Sequence, residues 1–96
     1  MDYLVDDVVA KKLEAFFAYL KAYLSDSELE TLREALMREL ATRPPRREEP
    51  ALYFIGPKWT KDDIPQLRKL IINVAKSVIK DKNKIEIIKK MVFEFF

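Results

Sequence analysis

One stretch limits what this chain can become: Asp63–Lys80, DIPQLRKLIINVAKSVIK. Ile64, Leu67, Leu70, Ile71, Val74, Val78 and Ile79 return at three- and four-residue spacing. That is the period of an amphipathic helix with one buried face. The opposite side, Lys69, Asn73, Lys76 and Lys80, is polar and basic. Such a helix needs its apolar face covered, so the rest of the chain must supply either covering surfaces or the connectors that bring them into place.

The first covering surface lies upstream. Val5, Val9, Leu13, Phe16, Leu20 and Tyr23 mark one face of a helix predicted from Asp2 or Tyr3 to Leu24, widened by Val8, Phe17 and Leu24. Aspartates at its start complement the positive end of the helix dipole. Ser25, with Glu28 three residues on, forms a capping-box pattern for a second helix over Asp26–Thr42. Leu29, Leu32, Leu36 and Leu40 form its buried face. The connection is so short that the two helices are expected to pair as an antiparallel hairpin.

Residues 43–50, RPPRREEP, break this pattern. Proline removes helical hydrogen bonds and the charges resist burial, so an exposed, stiff connector is expected. ALYFIG follows, between Pro50 and Pro57. Leu52, Tyr53, Phe54 and Ile55 favour extended structure, but a lone strand has no partner within the chain. This run is therefore either an extended plug over the helices or a strand that pairs with another protein. Trp59 is expected to lid one end of the core.

Asp63 as N-cap, with Pro65 in the first turn, is the favoured start of the third helix; Thr60, with a Trp59–Ile64 staple, is the rival. Asp81-Lys82-Asn83-Lys84 is a polar break without glycine or proline, so one continuous helix to the end remains an alternative. In the last segment Ile85, Ile88, Val92 and Phe95 share a side, Ile87 and Met91 a neighbouring one, and Phe93 and Phe96 fall outside both. The predicted fold is all-α: one four-helix domain, with a hairpin over 1–42, a proline-rich crossover over 43–59 and a basic helical pair over 60–96.

Composition narrows the chemistry. The 96 residues contain no cysteine and no histidine, which removes thiolate sites and the commonest general base and zinc ligand. A single glycine leaves no phosphate-cradling loop. The paired carboxylates Asp6-Asp7, Glu48-Glu49 and Asp62-Asp63 are sequence neighbours, which diverge on a helix. No catalytic residue, metal site, cofactor or small-molecule substrate is expected. Abundant Lys, Arg and Glu with little Asn and Gln is a thermophile-like balance. No apolar run approaches the roughly 20 residues of a membrane span, and no basic-apolar leader opens the chain. A cytoplasmic protein is expected.

Charge is unevenly placed. Residues 1–57 carry 8 basic and 11 acidic side chains, and residues 58–96 carry 10 and 5. Arg68, Lys69, Lys76, Lys80, Lys82 and Lys84, extended by Lys89 and Lys90, make a candidate nucleic-acid-binding set that carries no signature of base-specific reading. The same amphipathic, basic stretch also suits an anionic lipid surface.

The tail, Lys89-Lys90-Met91-Val92-Phe93-Glu94-Phe95-Phe96, resembles the sliding-clamp-binding peptide of replication and repair proteins. That motif has a glutamine, an aliphatic residue three positions on, and two aromatics after two more. Val92, Phe95 and Phe96 match, while Lys89 stands where the motif has glutamine. The resemblance implies a protein partner held by Val92, Phe95 and Phe96; Leu52–Ile55 is a second partner-binding candidate. Three functions follow: a non-enzymatic accessory or adaptor subunit in nucleic-acid-processing machinery, direct sequence-independent nucleic-acid binding, or a self-assembling coat-like protein. Surplus apolar surface in both segments predicts a homodimer or a protein partner.

Overall fold

The leucines of the second helix show how the core is built. Leu32, Leu36 and Leu40 are at most 1% exposed and face a set drawn from every other helix: Leu13, Phe16 and Leu20, Leu67 and Ile71, Ile88 and Val92. A computed structural model of the chain describes residues 5–42 and 59–96, the Thr42 side chain apart. It contains α1 (Asp7–Leu20), α2 (Asp26–Thr42), a 3-10 turn (Lys61–Asp63), α3 (Ile64–Val78) and α4 (Lys82–Phe95). The fold is all-α, as expected, and no strand occurs among the described residues. The crossover and Leu52–Ile55 lie outside them.

Helix α3 is central. It packs along both α2 and α4, while α1 packs chiefly on α4 and touches α2 less. The two N-terminal helices are therefore neighbours in sequence but lean mainly on the C-terminal half.

Helix α2 has the bounds its capping box predicts. The Glu28 amide donates to Ser25 Oγ at 3.1 Å, and the Ser25 amide donates back to Glu28 Oε1 at 3.0 Å. Helix α1 is shorter than expected at both ends. It starts at Asp7 because Asp6 caps it, accepting from the Val9 amide at 2.9 Å. The backbone before it is committed elsewhere: Val5 forms an isolated parallel bridge with Trp59, and the Asp6 amide donates to the Trp59 carbonyl at 3.0 Å. At the other end, the Ala22 and Tyr23 amides reach back only three residues, to Tyr19 and Leu20, which tightens the chain into a turn. Val8 and Tyr23, expected on the buried face, are 45% and 42% exposed.

Trp59 is 1% exposed, and its Nε1–H donates to the Leu40 carbonyl at 3.1 Å. It is the expected lid, and it also satisfies one of the last carbonyls of α2, which have no partner within the helix.

The start of α3 falls where expected, with Asp63 as its N-cap residue, but the role of that side chain is corrected. The Asp63 side chain does not cap α3; it turns back and accepts from the Thr60 amide at 2.9 Å, so the capping box belongs to Thr60 and the 3-10 turn. The turn ends where α3 begins, so Pro65 still falls within the first two residues of the α-helix, where its missing N–H costs little. The α3–α4 break moves. It lies at residues 79–81, with Ile79 extended yet only 2% exposed, and Asp81 is the N-cap of α4, accepting from the Asn83 amide at 2.9 Å. The helices are thus two, and Lys82–Lys84 form the first turn of the second.

Candidate functional site

Helical spacing sorts the basic residues of the C-terminal half into two groups. Lys69, Asn73 and Lys76, at four- and three-residue steps, are all exposed on the side of α3 opposite its buried Leu67, Leu70, Ile71 and Val74. Lys80 and Lys82, in and just after the break, are exposed as well. Lys69 and Lys76 thus share one solvated side of α3, and Lys80 and Lys82 are exposed where the chain passes from α3 to α4.

Arg68 and Lys84 belong to the second group, because the structure gives them partners. Lys84 Nζ lies 2.7 Å from Glu28 Oε1, which ties the first turn of α4 to the first turn of α2. The hydrogen bond from Lys84, with a smaller contribution from the Ser25 amide, holds the Glu28 carboxyl below the ordinary glutamate range. A depressed folded-state value contributes stability above the unfolded pKa and loses it as pH falls through the folded one. Carboxyl-detected NMR titration should therefore find Glu28 among the lower glutamates, and Lys84→Met should move its midpoint upward. An unmoved midpoint would show that Lys84 does not hold the carboxylate in solution.

Arg68 is half-buried beside the end of α4. Its Nη2 donates to the Phe96 backbone oxygen at 2.6 Å, and its guanidinium lies over the Phe93 ring, 5.4 Å from the centroid. Its Nε is buried without a partner among the described residues. Because Arg68 lies near the start of α3 and Phe93 near the end of α4, the two helices run antiparallel. Lys89 and Lys90 stand four and three residues before Phe93 on α4, and with Glu86 and Ile87 they border an open shelf around its ring. Glu86 sits 3.5 Å from Lys89 and offsets part of its charge.

The tail residues are placed differently from what the clamp-peptide resemblance implies. Val92 is fully buried and Phe96 is 7% exposed, so a partner could take them only by unpacking α4. Phe96, expected to fall off both faces, packs edge-on against Phe16 at 5.6 Å between centroids, because α4 is covered by α1 as well as α3. Phe95 is half-buried and lies 5.7 Å from Tyr19. The Tyr19 and Tyr23 rings are 5.4 Å apart, and their hydroxyls share a hydrogen bond at 3.2 Å that raises the Tyr19 pKa. Tyr19, Tyr23 and Phe95 thus form a partly exposed aromatic patch; the helical pattern places Tyr23 on the buried face of α1 and Phe95 beside Ile88 and Val92, and does not single out Tyr19.

Among the described residues, Ser25, Ser77, Asp6 and Asp63 serve local structure, while Glu48-Glu49 lie outside them. Ser25 caps α2, Ser77 Oγ donates to the Val74 carbonyl at 2.9 Å, and Asp6 and Asp63 cap helical turns. Among the described residues no three acidic side chains gather as a metal site, and no helix is long and apolar enough to cross a membrane. No family model, curated protein or solved structure matches the chain.

Proposed function

We propose that this is a non-enzymatic, cytoplasmic binding protein of nucleic-acid-processing machinery, whose working surface is the basic outer side of the α3–α4 hairpin. That side holds a phosphate backbone without reading sequence. The supporting observation is that Lys69 and Lys76 share the exposed side of α3, with Lys80 and Lys82 exposed just after it, while the apolar stripe of the same helix is buried. A lysine presents a flexible point charge, which suits phosphate and carries no base-edge geometry.

Binding of this kind releases counterions, so its strength must fall with salt. For about four contacts, log K against log salt is expected to slope by roughly −3 to −4 in fluorescence anisotropy with labelled oligonucleotides of unrelated sequence. A flat salt dependence, or a strong preference for one sequence, would reject the reading. A second reading, an adaptor that docks a protein partner, is favoured by the Tyr19–Tyr23–Phe95 patch. In that reading Phe95 is the tail residue that reaches the partner, and Val92 and Phe96 hold it in place from within.

A further inference from the structure

Phe93 is 61% exposed, the most exposed large apolar side chain among the described residues. Nothing in core packing accounts for a phenylalanine there. Its setting is nonetheless built. The Arg68 guanidinium covers the ring at 5.4 Å and is itself fixed by its 2.6 Å hydrogen bond to the Phe96 backbone oxygen. A cation held this close is attracted to the ring face and restrains its orientation. The ring's remaining surface is open to solvent, with Lys90 and the Glu86-paired Lys89 one helical turn away on α4.

We infer that Phe93 is a stacking platform for an unpaired base, and that the nucleic acid bound is single-stranded. This rests on the phosphate-binding role proposed above and adds the substrate class. Proteins that hold single strands combine a cationic track with aromatic faces on which bases stack without regard to sequence. In a duplex those base faces are already stacked on each other, so the ring has nothing to receive. Arg68 leaves one side of Phe93 for the base, and its charge favours a phosphate nearby.

Fluorescence anisotropy with oligothymidylate and with a duplex of equal length tests this, together with phosphatidylglycerol vesicles as a lipid surface. The parent should bind the single strand more tightly than the duplex. Phe93→Ala should weaken single-strand binding about tenfold, leave duplex binding unchanged, and leave the melting temperature near that of the parent because the side chain is exposed. Phe93→Trp should restore the loss. If Phe93→Ala binds both oligonucleotides as the parent does, the stacking role falls and the phosphate-binding role stands. If the parent binds neither, both fall. If Phe93→Ala loses vesicle binding alone, the platform is for lipid and the inference is overturned.

Discussion

Replacing Trp59 with alanine is expected to destabilise the protein by about 3–5 kcal/mol. Domains of this size have roughly 5–15 kcal/mol in total, so the variant should sit close to unfolding at ordinary temperature. Three losses coincide at this residue. The side chain is 1% exposed, so its removal opens a cavity in the core. Its Nε1–H leaves the Leu40 carbonyl, near the end of α2, without its donor. The Val5–Trp59 bridge and the Asp6 amide bond at 3.0 Å, which set where α1 begins, lose the packed anchor beneath them. Trp59→Phe separates these terms: it keeps most of the volume and should cost nearer to 1–3 kcal/mol, roughly the penalty of an unsatisfied buried acceptor. Urea titration followed by far-UV circular dichroism reads both, since the only tryptophan is the residue removed. A loss under about 1 kcal/mol for the alanine variant would mean that the core closes over the site, contrary to the close packing of protein interiors.

What was legible in the sequence depended on how local the deciding interaction is. Helix α2 was readable to the residue, because Ser25 and Glu28 cap each other within one turn and the leucines keep strict spacing. Helix α1 was not, because its start is decided by Trp59, a residue from the far side of the crossover. Asp63 holds the N-cap position of α3 as its sequence suggested, but its side chain is the reverse half of the Thr60 box, because a 3-10 turn precedes the α-helix. Phe96 was misassigned for a different reason, whereas Phe93 lies outside the buried faces as expected. A helical wheel presumes one covering surface, whereas α4 has two, so Phe96 finds Phe16 while Phe93 stays in water. The same distinction holds at the candidate site. Exposure of Lys69 and Lys76 follows from periodicity alone. The pairing of Arg68 with Phe93, and of Lys84 with Glu28, depends on how helices align side by side, which no single segment encodes.

Reversing Lys69, Lys76 and Lys80 to glutamate is the change expected to affect binding most. Each position then repels a phosphate it had attracted, and formal net charge drops from +2 to −4. Affinity for oligonucleotides at about 0.1 M salt should fall at least 100-fold, with the salt slope shallower by about three units, one for each contact removed. These three are chosen over Arg68 and Lys84 because they are exposed, whereas the other two also hold helices together. Exposed substitutions usually shift stability by no more than about 0.5 kcal/mol. Lys76→Glu adds an unfavourable charge in the last turn of α3, worth roughly 0.3–1 kcal/mol. A modest fall in melting temperature is therefore expected without loss of helix. Lys11→Glu with Lys21→Glu, at exposed positions on α1 and at its C-cap, lowers the net charge to −2 and is the control for charge alone. If binding depends on the α3 edge, the control should keep most of its affinity while the triple variant loses it. Equal affinity of triple variant and parent would remove the phosphate-binding role and leave the aromatic patch of Tyr19, Tyr23 and Phe95 as the surface through which this protein works.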